Sequence, residues 1–163
     1  MGASGWGYFV PYQSNIDQAL QKLREEVFRR GEYFLRPPMD INPDEYVDAP
    51  EEIREQVPIW IEREKSFQQP TTIAELINWN AEEGTHSILD IERISPVPDF
   101  GAATPLSTQE LIELFGTDQP GQGMIVEKAE TIRSLRKIYQ ATYIIVFRND
   151  IRDEIYFTGY SGD

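Results

Sequence analysis

The sequence predicts an α+β fold: a mainly antiparallel sheet of about four to six strands, with helices packed on one face. Three observations carry this. Apolar residues recur at helical spacing in several segments. Runs of β-branched and aromatic residues bounded by turn residues supply strands. The two kinds of segment are mixed, without the strict alternation of a doubly wound fold. At 163 residues the chain is read as a single domain spanning 1–163, with one unusual excursion at about 37–70.

In chain order, residues 8–12 (YFVPY) read as a short strand, placed near an edge by Pro11. Ser14 is the expected helix cap. Ile16, Ala19, Leu20, Leu23 and Val27 form the stripe of the first helix, and Gly31 stops it. Glu25–Arg29 and Glu26–Arg30 are expected ion pairs on its outer face. Residues 32–35 suggest a second short strand.

The excursion is Pro-rich and acidic. Pro37, Pro38, Pro43, Pro50, Pro58 and Pro70 cut it into short pieces, so it is expected to be irregular apart from a brief helix from Pro50 through Gln56. Ile59, Trp60 and Ile61 are too apolar for a free linker and should dock, either as a packed segment or as a lid.

Beyond it, Thr72 and Glu75 form a capping box, and that helix is expected to end at Gly84. Residues 85–94 alternate well enough for a strand. Ser107 and Glu110 make a second capping box, with Leu106 and Leu111 as its hydrophobic staple and Gly116 as its stop. Ile125, Ala129, Ile132, Leu135 and Tyr139 give one more helical stripe. Residues 140–148 and 155–160 are the arms of a hairpin turned by Asn149 and Asp150. The terminal aromatics Trp6, Tyr8, Phe9, Tyr156, Phe157 and Tyr160 form a shared layer if those end strands pair.

The formal charge is −13, concentrated between residues 37 and 103, where four basic and fifteen acidic side chains leave −11. Phosphate-backbone binding needs clustered Lys and Arg, so direct nucleic-acid binding is not expected; a protein partner, if there is one, should be basic. No apolar run approaches a membrane span. The start lacks the basic and apolar regions of a signal peptide, and Trp6 spoils the myristoylation pattern at Gly2. There is no cysteine, which excludes disulfides, thiolate metal sites and cysteine nucleophiles and fits a cytoplasmic protein.

His86 is the only histidine. On a strand over 85–94, His86, Asp90 and Glu92 share one face while Ser87 points to the other, and Asp90 lies ~13 Å away. A local Ser–His–Asp triad therefore fails on geometry. His86, Asp90 and Glu92 remain the weak catalytic candidates, with missing partners to come from elsewhere in the chain. No metal or cofactor is expected. One carboxylate pair and one histidine fall short of a metal set, and no phosphate or dinucleotide loop occurs.

The segments GWGYFVPY (5–12), GTHSILDIERIS (84–95) and FTGYSGD (157–163) together resemble an uncharacterised bacterial protein family. The resemblance implies a bacterial, cytoplasmic, stand-alone domain. It implies no reaction and assigns no residue a role.

The expected function is a non-enzymatic interaction or regulatory module. The alternative is a small-molecule-binding or hydrolytic domain with a site around His86, Asp90 and Glu92, between the sheet and the 37–70 excursion. A further alternative is an acidic, immunity-like inhibitor of a basic partner.

Overall fold

A computed structural model describes residues 4–162. Gly2 with its lipidation pattern, and Asp163 at the end of the family-like closing segment, lie outside the described residues. The fold is α+β. Five strands form one sheet in the order β1 (Ser4–Pro11), β5 (Ile151–Ser161), β4 (Gln140–Arg148), β3 (Ala102–Pro105), β2 (Arg93–Ile94).

The sheet is mixed rather than mainly antiparallel. β1 and β4 flank β5 antiparallel, whereas β3 runs parallel to β4 and β2 parallel to β3. For β3 and β4 the helical stretch between them supplies the long crossover that a parallel pair needs. It comprises α4 (Thr108–Phe115), α5 (Gln122–Glu127) and α6 (Ala129–Ser134). The expected single stripe over 125–139 is thus broken at Lys128. β3 was not anticipated, since Ala-Ala-Thr-Pro lacks the large residues that mark strands; its small side chains are buried between two neighbours.

Helices cover both faces, not one. β4 is apolar on both sides: Ala141, Tyr143 and Ile145 face one way, Ile144 and Val146 the other. Each side needs its own cover. α1 (Ile16–Arg30) and α3 (Ile73–Trp79) bury Leu20, Leu23, Val27 and Leu76 against the first side, with Trp6 and Phe157. α5 and α6 bury Ile125 and Ile132 against the second, with Tyr156.

Several local expectations hold. β1 is an edge strand ending at Pro11. The capping boxes at Thr72/Glu75 and Ser107/Glu110 both form. Gly31 and Gly116 close their helices with φ of 69° and 72°. The β4–β5 turn has φ of 51° at Asn149 and 61° at Asp150, the paired left-handed residues that suit a two-residue hairpin. Others shift. The α1 cap is Asn15, whose side chain accepts from the Gln18 N–H, not Ser14. Glu26 takes both arginines, Arg29 and Arg30. Residues 32–35 form no strand.

The terminal strands pair, with Trp6 opposite Gly159. A Cβ on Gly159 would lie 2.7 Å from the Trp6 ring and 2.9 Å from the Gln140 carbonyl oxygen. The backbone oxygen cannot swing away as a side chain would. Gly159→Ala is therefore expected to lose about 2 kcal/mol in urea unfolding, the scale of an overpacked core.

Residues 37–70 depart furthest from the irregular segment anticipated. A 3₁₀ turn (Pro43–Tyr46) is followed by α2 (Glu51–Lys65), which runs straight through Pro58. Proline removes one backbone donor and crowds the preceding turn. Yet Val57, Trp60, Ile61 and Glu64 recur at helical spacing and are buried or half-buried. Their burial outweighs the proline. Of the expected docking residues, Trp60 and Ile61 turn inward and Ile59 stays 59% exposed.

Candidate functional site

The segment around His86 is not a strand. Gly84 and His86 both have left-handed φ, 75° and 54°, which breaks an extended run. Ser87 caps a 3₁₀ turn (Ile88–Asp90) by accepting the Leu89 N–H. Ile88, Leu89 and Ile91 are all fully buried, so the apparent alternation is a compact turn driven into the core. Within 85–94 only Arg93–Ile94 pairs as a strand.

This refolding changes the positions of the weak candidates. Asp90 is not held 13 Å away. It returns to the start of the segment and accepts the Thr85 N–H through both carboxylate oxygens, at 2.9 and 3.1 Å. Burial pushes the Asp90 carboxyl above the usual range, against hydrogen bonds from Ser161 and Thr85 and the nearby charge of His86. The Ser161 hydroxyl also accepts from the Trp6 indole N–H at 3.2 Å. Thr85 and Ser87 share a hydrogen bond of 2.9 Å. His86 is half-buried and stacks on Phe34, with ring centroids 4.5 Å apart. Glu92 is exposed, and its carbonyl accepts from Gln21. The arrangement ties a loop to the last strand.

The concave site lies elsewhere, between the end of α3 and the α2 segment. A cavity of about 330 Å³ is walled by Arg36, Tyr46, Trp60, Arg63, Glu64 and Trp79. Buried Asn80 organises one wall. Its amide nitrogen donates to the carbonyls of Phe34 (2.7 Å) and Gly84 (2.9 Å), and its oxygen accepts the Arg36 N–H at 3.2 Å. The Trp79 indole N–H donates to the Arg36 carbonyl at 2.7 Å. Chain 34–36 is thereby stitched to the end of α3.

Arg36 and Glu64 close the other wall. Arg36 Nη2 donates to Glu64 Oε1 at 2.7 Å, with side chains 8% and 6% exposed. Glu64 Oε2 accepts the Met39 N–H at 2.8 Å. Burial pushes the Glu64 carboxyl up, but the Arg36 and Met39 hydrogen bonds and the charges of Arg36 and Arg63 outweigh it and hold it below the usual value of 4.5. Both side chains are almost wholly buried, at the border of the cavity. Arg36 also lies over the Trp79 ring at 4.4 Å, and its Nη1 is buried without a hydrogen-bond partner.

Four carboxylates, Asp40, Glu45, Glu82 and Glu83, also line the cavity. None is paired with a basic side chain among the described residues. No group of three His, Asp or Glu side chains positioned for a metal ion occurs among the described residues. No described helix is long and apolar enough to cross a membrane.

Of this site, only the docking of Trp60 was expected from the sequence; the alternative small-molecule site was placed around His86, Asp90 and Glu92, none of which lines this cavity. Arg36, Asn80 and Trp79 were missed, because their roles come from contacts 28 to 46 positions apart. Comparison with protein-family models, curated proteins and solved structures found no match.

Proposed function

We propose that this protein is a small-molecule-binding module that acts without catalysis, taking its ligand in the cavity between α2 and α3. The observation that supports this is the cavity itself. At about 330 Å³ it is at the lower end of ligand-site volumes, with the aromatic rings of Tyr46, Trp60 and Trp79 set among mostly charged side chains. The His86, Asp90 and Glu92 region has no part in this reading. Glu92 is exposed, and Asp90 already serves the loop. In a bacterial cytoplasm, where the family-like segments would place it, such a module would serve a regulatory role.

The acidic charge then has a local use at the cavity rather than a partner-wide one. The immunity-like alternative requires salt-sensitive binding of a basic protein.

The test is differential scanning fluorimetry of the full chain against a library of small metabolites of all charge types. At least one compound is expected to raise the melting temperature and quench tryptophan fluorescence, and Trp60→Ala should remove both effects. If no compound does so, or if binding survives the substitution unchanged, the cavity is not a binding site.

A further inference from the structure

Resting on the cavity reading, we infer that the ligand is a small organic cation, an alkylammonium or guanidinium compound, that also carries a carboxylate or carbonyl acceptor. Basic amino acids and betaine-like zwitterions belong to this class.

The charge balance comes first. Arg36 and Glu64 neutralise one another. What remains around the cavity is Arg63 against Asp40, Glu45, Glu82 and Glu83, a surplus of negative charge. A purely anionic ligand would meet repulsion there, whereas a cation would relieve it.

The aromatic walls point the same way. Trp79 already receives guanidinium groups from the protein itself: Arg36 at 4.4 Å and Arg63 at 5.5 Å from its ring centre. The second aromatic pair, Tyr46 and Trp60, meets edge-to-face with centroids 6.0 Å apart. No protein cation lies over either ring among the described residues. Electron-rich ring faces beside unpaired carboxylates are the usual cradle of an organic cation.

Arg36 sets the other requirement. It lines the cavity, is only 7% exposed, and has one terminal nitrogen without an acceptor. A buried guanidinium donor left unmade is costly, so a ligand that offers it an oxygen is favoured over one that does not. Cationic and acceptor groups on one small molecule satisfy both ends of the cavity.

Isothermal titration of the full chain at low salt distinguishes the possibilities. The probes are L-arginine and carnitine, agmatine as a cation lacking the carboxylate, and pentanoate as an acid lacking the cation. L-arginine or carnitine is expected to bind saturably, agmatine more weakly and pentanoate not at all. Trp60→Ala should weaken binding by about tenfold through loss of the cation–ring contact. Because that substitution also touches α2, a second variant is needed. Glu45→Gln with Glu82→Gln alters only exposed side chains, and should weaken binding about fivefold, as two surface charge pairs would. Pentanoate binding as tightly as L-arginine, agmatine matching it, or neither zwitterion binding would each overturn the ligand class. The cavity reading would still stand if some other compound bound in a Trp60-dependent way, and would fall with it only if none did.

Discussion

Replacing Asn80 by alanine is expected to cost about 3–4 kcal/mol in urea unfolding, since three buried backbone groups lose their partners at once. The side chain is 1% exposed and bonds Phe34, Gly84 and Arg36. Water cannot easily replace these bonds at that depth. Asn80→Asp separates hydrogen bonding from packing. It has the same shape but sets an acceptor against two carbonyls, and should be no more stable than the alanine variant. A stable, cavity-competent Asn80→Asp protein would show that the hydrogen bonds contribute little. Loss should reach the ligand site too, because the same residue fixes the Arg36 backbone and adjoins Trp79.

Removing Glu64 is the second large effect. Glu64→Ala strands the Arg36 guanidinium, and breaking one side of a buried pair costs about 3 kcal/mol, the low end of the observed range, since the pair borders the cavity. The loss should be local. α2 is held by the Arg36–Glu64 pair, the Met39 N–H, the Arg63 bond to the Trp79 carbonyl and the Phe67–Trp79 contact. Hydrogen exchange should therefore quicken in α2 while β4 and β5 remain protected. Uniformly faster exchange would mean that α2 is integral to the core. Replacing both partners, Arg36→Met with Glu64→Leu, should restore much of the stability. It should not restore binding of a ligand that needs the arginine.

The same pair makes the α2 segment acid-sensitive. The Glu64 carboxyl lies below its ordinary 4.5 when folded. Its stabilisation is thus complete above that value and is lost as pH falls through the folded one. Tryptophan fluorescence from Trp60 and Trp79 should change in that acid window. Glu75, held low chiefly by hydrogen bonds from Thr71 and then Thr72, and Glu110, pushed up by burial but held low by hydrogen bonds from Ser107 and Arg136, also lose stabilisation as pH falls and weaken α3 and α4. Glu64→Gln distinguishes them: it should abolish the early fluorescence change and leave the helix-cap losses in place.

Much local chemistry was legible in the sequence where the deciding partners lie within a few residues, although the α1 cap fell at Asn15 rather than Ser14 and α3 ended at Trp79 rather than Gly84. Both capping boxes, the glycine stops at Gly31 and Gly116, the Asn149-Asp150 turn and the edge position of Pro11 are of this kind. A cap or a turn depends on backbone angles and on a side chain three positions away, and these are written in sequence order. The reading failed where a short local signal was ambiguous. Residues 85–94 alternate like a strand, but Gly84 and His86 adopt left-handed angles, and Ile88, Leu89 and Ile91 are all drawn into the core. α2 passes Pro58 because the burial of Val57, Trp60 and Ile61 outweighs what a proline costs, and the six prolines of 37–70 masked their helical spacing.

Hydrophobic pattern, charge and turn chemistry alone determined an α+β chain with a C-terminal hairpin, an acidic middle and no concentrated basic surface. Tertiary structure decided the parallel half of the sheet, the helices on its second face, and the cavity that Arg36, Trp60, Glu64 and Trp79 enclose. The reason is that a buried ion pair, a stitched loop and a shared aromatic wall are contacts between distant residues. Their energies exist only once the chain has brought those residues together and excluded water from between them.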